Sequence, residues 1–219
     1  MLLVCIYLCA ADRKYLEPFW DSTVGREVAE CKNSRVIEVY ADETVAASVL
    51  SGDTLTVKTA ERYDQLSLKT YEMIRYCTAT MNFTKLVKID VTVARTHFHE
   101  KGYEGRAAID LDDLARFLKT LPRDADYSGY HLHARAGRAG AENWATKKGA
   151  VINYQKLFGA GPMAPFYSGK CYALSHRFAE FIAVHGREFA AEHATHFFGA
   201  EDVMIGRLFQ KFQAWSPQS

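Results

Sequence analysis

The apolar stretch at residues 84–96, TKLVKIDVTVART, carries the first side chain that could do chemistry, Asp90. Lys88 stands two residues before this aspartate and Thr92 two residues after it. An isolated carboxylate in an apolar strand is costly unless something pairs with it or the strand ends there. Two interpretations are therefore equally open: Asp90 contacts a polar ligand or a divalent cation, or it pairs with Lys88 or caps a turn.

Two further acids, Glu201 and Asp202, begin an amphipathic stretch after a Gly–Ala turn in FFGAEDVMIG. Acidic residues in the first turn of a helix commonly stabilise the helix dipole, and these residues alone favour that interpretation. A general base has the same appearance, because a carboxylate held at a helix end beside a cleft can accept a hydroxyl proton.

The stretch APFYSGKCYALS, residues 164–175, places Gly169 between Ser168 and Lys170, with a tyrosine on either side. A glycine lets the backbone approach a ligand closely, which would suit a binding turn. The alternative is a plain turn between a loop and a strand.

Two histidine pairs have spacings that can bind zinc: His97 with His99, and His193 with His196. Neither pair comes with the further ligands that a closed zinc site requires, so we expect ordinary surface histidines. A metal-dependent hydrolase that uses them is the least favoured function. The sequence contains no glycine-rich phosphate loop, no GxSxG motif and no Cys/His nucleophile pattern.

Charge is nearly balanced along the 219 residues, since 27 lysines and arginines face 26 aspartates and glutamates and the net charge is +1. This balance gives no support for a nucleic-acid-binding surface. One basic run at 133–148 contains His133, Arg135, Arg138, Lys147 and Lys148 among glycines. We expect a solvated loop there, with a ligand-binding role as the alternative.

The five cysteines are scattered and show neither a CxxC nor a Cys/His metal spacing. Cys5, Cys9 and Cys77 stand among apolar residues and are expected to be small core side chains. This use of cysteine favours a reducing compartment. We expect a cytoplasmic protein, with the inner face of a membrane as an alternative location.

The first eleven residues, MLLVCIYLCAA, are hydrophobic enough to suggest a signal peptide. No positive region precedes them, and they are far shorter than the roughly 20 residues of a membrane span. We therefore expect a buried first strand that runs into a polar turn at Asp12, Arg13 and Lys14, and no transmembrane segment.

Strand and helix patterns alternate along the rest of the chain. Strands are predicted over 35–42, 53–59 and 85–93, and helices over 60–80, 110–122, 175–192 and 201–212, with an irregular region at 127–172. Asp110 is a plausible N-cap of the helix at 110–122, with Asp112 and Asp113 in its first turn, so these aspartates need no metal to explain them.

This alternation predicts an α/β fold with a mostly parallel central sheet that is covered by helices on both faces. Ligands in such sheets bind beyond the carboxyl ends of the strands. Asp12, Arg13, Asp42, Asp90 and Thr92 all lie near predicted strand ends. We therefore expect Asp90 to lie where its strand meets a cleft.

Five segments, taken in order, resemble the β-1,3-galactosyltransferase and fringe-like glycosyltransferases. LLVCIYLCAADRKYLEPFWDS resembles the family's opening, where a buried strand precedes basic residues and a tryptophan, and ERYDQLSLKTYEMIRYC is similar to its DsYxNLTLKTxxxxxWxxxxC helix. KLVKIDVTV falls where the family has KxDDDxxV, PFYSGKCYALS resembles YPxYxSGxGYxLS, and EDVMIG resembles EDVxxG. Together these segments cover nearly the whole chain.

The resemblance implies a GT-A fold, an α/β/α sandwich with a mostly parallel, Rossmann-like nucleotide-sugar-binding sheet. It implies one glycosyltransferase domain over 1–219, with the nucleotide-sugar-binding half in 1–95 and the acceptor-binding and catalytic half in 96–219. The implied activity is inverting transfer of a hexose or N-acetylhexosamine from a UDP-sugar to a hydroxyl of a glycan or glycolipid acceptor. The donor and the acceptor are the expected partners.

By position, the resemblance makes Asp202 the base that deprotonates the acceptor hydroxyl, and Glu201 a residue that helps to hold the acceptor. It places basic side chains near the nucleotide and a glycine turn along the sugar pocket. The nucleotide-sugar-binding residues that it implies are Arg13, Lys69, Asp90, Ser168 and Gly169.

The acidic triplet departs from the family pattern. Register puts Asp90 on its first aspartate, Val91 on the second and Thr92 on the third, which is a metal ligand in the family. A threonine hydroxyl is a poorer ligand for a hard divalent ion than a carboxylate. No histidine follows Asp202, where the family tends to supply one. Binding of Mn²⁺ or Mg²⁺ at Asp90 is therefore an open question.

Three outcomes follow from this departure. Basic residues of the 133–148 run could neutralise the leaving phosphate without a metal, or a weak metal site could combine Asp90 with diphosphate oxygens. The third outcome is a catalytically inactive nucleotide-sugar- or glycan-binding module of the same fold. The intact Glu201–Asp202 pair favours an active enzyme.

Overall fold

The computed structural model of the protein describes residues 1–94, 109–133, 152–153 and 164–215. The strands in these ranges are β1 (Leu2–Tyr7), β2 (Ser34–Ala41), β3 (Val49–Ser51), β4 (Thr54–Val57), β5 (Lys85–Asp90), β6 (Tyr127–Gly129), β7 (Leu132–His133), β8 (Phe166–Tyr167) and β9 (Cys171–Ser175). The α-helices are α1 (Leu16–Asp21), α2 (Thr23–Glu30), α3 (Leu66–Thr80), α4 (Leu111–Lys119), α5 (His176–His196) and α6 (Glu201–Trp215). Short 3₁₀ turns occupy Ala10–Tyr15, Tyr63–Gln65 and Val91–Ala94.

A mixed, mostly parallel sheet of seven strands, in the order β3-β4-β2-β1-β5-β9-β6, forms the centre of the fold. Strands β4, β2, β1 and β5 run parallel, while β3 and β9 run antiparallel to their neighbours. The remaining strands, β7 and β8, pair with each other in a small antiparallel sheet. The predicted α/β class and mostly parallel sheet are therefore confirmed.

Each face of the sheet carries its own hydrophobic core. Successive side chains of a strand point to opposite faces, and β1 shows this directly: Leu3, Cys5 and Tyr7 belong to one core, whereas Val4 and Ile6 belong to the other. Helices α3, α5 and α6 contribute to the first core, and α1, α2 and α4 to the second. Helices therefore cover both faces, as the alternation of elements predicts.

Strand β5 ends earlier than the apolar pattern suggests. The strand predicted over 85–93 stops at Asp90, and Val91–Ala94 continue as a 3₁₀ turn. Asp90 Oδ1 accepts hydrogen bonds from the Thr92 amide at 2.9 Å and from the Thr92 hydroxyl at 2.6 Å. An aspartate that bonds to the backbone two residues further on favours a turn over a continuing strand, which explains the error.

Other boundaries also differ from the prediction. The expected polar turn after the first strand is a 3₁₀ turn at Ala10–Tyr15. Helices α5 and α6 extend to His196 and Trp215, beyond the predicted ends at 192 and 212. The predicted cap of α4 is confirmed, because the Asp110 carboxylate accepts from the backbone amides of Asp112 and Asp113.

The cysteines are all free thiols. Cys5 and Cys77 lie in the core as predicted, whereas Cys9 is half-buried and burial raises the pKa of its thiol to about 12. Within the described ranges, no helix is both long enough and apolar enough to cross a membrane. The proposed division of the chain near residue 95 stays a prediction, because it falls outside the described residues.

Candidate functional site

The turn at 168–170, between β8 and β9, is hydrogen-bonded to both the end of β5 and the start of α6. Strand β9 pairs antiparallel with β5, and just beyond that pairing the Asp90 amide donates to the Lys170 carbonyl at 2.9 Å. The Gly169 amide donates to Asp202 Oδ2 at 3.2 Å, and the Gly169 carbonyl accepts from the Lys88 ammonium. Asp90, at the end of β5, and Asp202, at the start of α6, are therefore hydrogen-bonded to the same turn.

Lys88 is the central cation of this region. Alternation along β5 directs Lys88 and Asp90 to the face of the sheet that α6 covers. The Lys88 ammonium lies 3.0 Å from Glu201 Oε1, with side-chain exposures of only 1% and 10%. It also lies 4.5 Å from the centre of the Tyr7 ring and 5.6 Å from that of Tyr172. Burial acts to lower the pKa of Lys88, but Glu201 and then Asp90 outweigh it and raise the pKa.

Asp90 caps its turn and pairs with a different lysine from the one expected. Its Oδ1 is bonded by Thr92, and its Oδ2 lies 3.4 Å from the Lys170 ammonium. Burial acts to raise the pKa of Asp90, but Lys170, then Lys88, together with the Thr92 hydrogen bonds, lower it overall. The turn-capping interpretation is confirmed, while the direct pairing with Lys88 is wrong because Lys88 is bonded to Glu201.

Asp202 is the carboxylate whose proton affinity suits a base near neutral pH. Burial, and then the charge of Glu201, raises the pKa of Asp202 to about 7, although hydrogen bonds from the Gly169 and Val203 amides oppose this rise. The Val203 amide donates to Oδ1 at 2.9 Å and the Gly169 amide to Oδ2 at 3.2 Å. A carboxylate fixed in this way can accept a proton from a hydroxyl group.

His193 supports the turn that leads into α6. Its side chain is fully buried, with Nδ1 3.1 Å from the Ala200 carbonyl and Nε2 2.9 Å from Arg207 Nη1. Because a guanidinium only donates, Nε2 must accept and Nδ1–H must donate to Ala200. Burial, and then the charge of Arg207, lowers the pKa of His193 to about 3. The imidazole therefore stays neutral and fixes the residue that precedes Glu201.

The expectation of surface histidines is thus wrong for His193, while His196 is half-buried. Both ring nitrogens of His193 are hydrogen-bonded within the protein. Among the residues that the structure describes, no group of three or more His, Cys, Asp or Glu side chains could hold a metal ion. His97 and His99 lie outside the described residues.

Lys69 and Arg13 lie on the β1–β2 side of the sheet end. The Lys69 ammonium is bonded to Glu61 at 2.9 Å and to the Leu8 carbonyl, and its side chain is 1% exposed. Burial lowers the pKa of Lys69, against the charge of Glu61. Arg13 is exposed and its guanidinium stacks 4.6 Å from the centre of the Tyr40 ring. Contact of Lys69 and Arg13 with a nucleotide stays a prediction.

The described residues do not offer a good site for Mn²⁺ or Mg²⁺ at the acidic triplet. Both Asp90 oxygens already accept hydrogen bonds, and the Thr92 hydroxyl contacts the Lys170 ammonium as well as Asp90. A divalent ion at Asp90 would meet the positive charge of Lys170 at close range. It would gain one carboxylate and one neutral hydroxyl, fewer anionic ligands than such an ion prefers.

The structure brings together seven of the residues singled out from the sequence: Lys88, Asp90, Thr92, Ser168, Gly169, Glu201 and Asp202. From the basic run at 133–148, His133 is exposed in β7, and Arg135, Arg138, Lys147 and Lys148 lie outside the described residues.

Sequence reasoning missed the role of Lys170 and the Lys88–Glu201 pair, whose members are 113 residues apart. No local pattern reveals a pair so far apart in the chain. Lys170 carries a signal only after β9 has been paired with β5, because that pairing sets Lys170 opposite Asp90.

A cavity of about 370 Å³ lies elsewhere, between α5 and α6, where Phe181, His185 and Trp215 contribute to its walls. None of the acidic residues of the candidate site lines it. Within the described residues, we therefore take the cluster around the 168–170 turn as the candidate site, since it contains the hydrogen-bonded acids and lysines, and this cavity does not.

Comparison with known proteins assigns no family to this chain. No protein-family model matches the sequence, and no curated protein is significantly similar to it. The likeness to β-1,3-galactosyltransferase and fringe-like glycosyltransferases therefore rests on the five sequence segments.

Proposed function

We propose that the protein is an inverting glycosyltransferase with a GT-A-type fold. It transfers a hexose or N-acetylhexosamine from a UDP-sugar to a hydroxyl of a glycan or glycolipid acceptor. The observation that supports this most is the 168–170 turn, which bonds to both the strand-end acid Asp90 and the helix-tip acid Asp202. This turn would place the proposed donor site beside the proposed base.

The parallel strands support the placement of the donor. Open α/β sheets bind ligands beyond the carboxyl ends of their strands. In this protein β1 and β5 are parallel neighbours, with Tyr7 opposite Asp90 at their carboxyl ends. The acids of α6 reach the same end through the Lys88–Glu201 ion pair. A diphosphate bound there would lie beside Asp90.

Asp202 is the proposed base. The acceptor oxygen attacks the anomeric carbon while the Asp202 carboxylate takes the hydroxyl proton. The bond between the anomeric carbon and the UDP oxygen breaks, and its electron pair leaves with the diphosphate. General base catalysis of this kind contributes roughly 10²- to 10⁴-fold, and a pKa of about 7 lets Asp202 act near neutral pH.

Glu201 and Lys88 position this base. Glu201 is held at 3.0 Å from Lys88, which fixes the first turn of α6 against β5. The negative charge of Glu201 contributes to the raised pKa of Asp202. We assign Glu201 to orienting the acceptor beside Asp202.

The test is sugar transfer with a panel of UDP-sugars and hydroxyl acceptors, followed as UDP release and glycoside product. Asp202→Asn is expected to lower turnover by about 10²- to 10⁴-fold. Asp53→Asn serves as the matched control, since the Asp53 side chain is 78% exposed and lies in the hairpin between the edge strands β3 and β4. Equal turnover by Asp202→Asn and wild type would remove Asp202 from the mechanism.

A non-catalytic nucleotide-sugar- or glycan-binding module is the second candidate. Thr92 favours it, because the family that this chain resembles has a metal-binding aspartate at that position. The hydrogen bonds that both Asp90 oxygens already accept, from Thr92 and Lys170, favour it as well. This function predicts a calorimetric signal with UDP or a glycan, but no product with any donor. Product formation by wild type excludes it.

A further inference from the structure

Lys170 forms a compact unit with Asp90 and Thr92 at the end of β5. Its ammonium lies 3.4 Å from Asp90 Oδ2 and also donates to the Thr92 hydroxyl oxygen. The Asp90 amide bonds to the Lys170 carbonyl at 2.9 Å, so the backbone sets Lys170 opposite Asp90. The side chains of Lys170 and Asp90 are 28% and 26% exposed, so the unit lies at the surface of the site.

Thr92 connects the two charges. Its hydroxyl donates to Asp90 Oδ1 at 2.6 Å, and because an ammonium only donates, the same oxygen accepts from Lys170. An aspartate at this position would bring a second negative charge and favour a divalent cation. A threonine instead brings a neutral hydroxyl, which both Asp90 and Lys170 engage. The positive group at this position is therefore the Lys170 ammonium, held in place by Asp90 and Thr92.

The buried cation nearby is Lys88. The Lys88 ammonium is 1% exposed and is bonded to Glu201 and the Gly169 carbonyl. Lys170 is more exposed than Lys88 and lies beside the acid that the proposed donor would approach. Of these two lysines, Lys170 is therefore the better placed to meet a diphosphate that approaches Asp90.

We infer that Lys170 supplies the positive charge that binds the donor's diphosphate and stabilises the departing UDP, in the place that a divalent metal would otherwise take. The inference rests on the proposed function and deepens it. When the anomeric carbon–oxygen bond breaks, the electron pair stays on the phosphate oxygen, and the ammonium neutralises the charge that develops there. Lys170 transfers no proton, since the acceptor's proton goes to Asp202.

The experiment is calorimetric titration of UDP and of uridine into wild type, Lys170→Met and Lys170→Arg, each in EDTA and in Mn²⁺. Lys58→Met is the matched control, because the Lys58 ammonium bonds to the Ala46 carbonyl in an exposed setting. Wild type should bind UDP equally well in both buffers. Lys170→Met should weaken UDP binding about 10- to 100-fold in both and leave uridine binding unchanged, while Lys170→Arg retains most of the UDP affinity.

Each other result overturns the inference in its own way. If wild type binds UDP in Mn²⁺ and not in EDTA, a metal is the cation, and the proposed transferase stands without the Lys170 role. If Lys170→Met binds UDP as wild type does, Lys170 does not contact the diphosphate. If wild type binds UDP in neither buffer, the proposed function fails, and the inference with it. Lys170→Gln replaces Lys170→Met should the methionine variant not fold.

Discussion

Two buried lysine–glutamate pairs lie at the carboxyl end of the sheet, and they look alike at first. Lys69 is 2.9 Å from Glu61 and Lys88 is 3.0 Å from Glu201, and both lysine side chains are 1% exposed. Both ammonium groups also lie over the same Tyr7 ring, at 4.6 and 4.5 Å from its centre. Their surroundings nevertheless give them different properties.

The pKa of Lys69 is lowered because its burial outweighs the charge of Glu61. The pKa of Lys88 is raised because several carboxylates, with Glu201 first, outweigh its burial. Glu61 also accepts from the Ala41 amide at 2.7 Å, so the Lys69 pair ties strand ends together. The Lys88 pair instead holds acids together at a site. One ion pair is structural, whereas the other concentrates negative charge where a reaction could use it.

The largest expected effect is the loss of Lys88. Lys88→Met leaves Glu201 buried without a countercharge, and removing one partner of a buried pair typically costs about 3–5 kcal/mol. Lys69→Met should cost less, because Glu61 is more exposed than Glu201, at 16% against 10%. Urea unfolding of both variants measures the difference. The double variant Lys88→Met/Glu201→Gln should recover part of the lost free energy of unfolding. If Lys88→Met and Lys69→Met lose the same free energy of unfolding, the two ion pairs do not differ as we infer.

The next effect is the dependence of stability on pH at Asp202. The folded-state pKa of Asp202 is raised to about 7, so the folded protein holds this proton more tightly than the unfolded chain does. The contribution is present below about pH 4 and is lost as pH rises to about 7. A rise in pKa from 3.8 to about 7 corresponds to roughly 4 kcal/mol. Wild type should therefore lose more stability between pH 4 and pH 8 than Asp202→Asn, as measured by urea unfolding at both values. Parallel pH curves for the two proteins would contradict a raised pKa.

A smaller effect is expected at Gly169. A Cβ added there would lie 2.4 Å from Glu201 Oε1, so Gly169→Ala must displace Glu201. We expect turnover to fall by about 10-fold, since misplacing a positioned group by even a fraction of an ångström weakens catalysis. Gly52→Ala is the control: Gly52 has a φ of +59° and open space around it, so the substitution strains a distant turn without touching the site. Unchanged turnover in Gly169→Ala would show that the position of Glu201 does not matter.

The smallest expected effect is at His193. Because the pKa of His193 is lowered to about 3, its ring should keep one set of NMR shifts from pH 5 to pH 8. The neutral ring fixes the turn before α6 throughout the range in which Asp202 titrates. A titration of the His193 ring between pH 6 and pH 7 would show that this support is charged and that the hydrogen-bond assignment to Ala200 and Arg207 is wrong.

The sequence predicted four of the seven strands of the central sheet, because continuous apolar runs specify buried strands such as β1 and β5. The end of β5 was missed since Val91 and Val93 remain buried in the 3₁₀ turn, so the apolar pattern continues after the strand has ended. Strands β6, β7 and β8 contain only two or three residues, too few for periodicity to show.

The candidate acids were found from local spacing, but their partners were not. Lys88 and Asp90 project to one face by simple alternation, while the identity of the facing residue, Glu201, depends on how α6 packs. His193 carried a usable signal. Ile182, Gly186, Ala190 and His193 follow one another at helical spacing, and all are buried on the same side of α5.

The central claim is that the 168–170 turn joins a donor-binding strand end to a catalytic helix tip. A crystal structure of the protein with UDP, prepared in EDTA, tests it most directly. The account predicts that the diphosphate contacts the Lys170 ammonium beside Asp90, with the Asp202 carboxylate facing the space where the sugar would begin. UDP bound in the cavity between α5 and α6, or anywhere remote from Lys170 and Asp202, would contradict it.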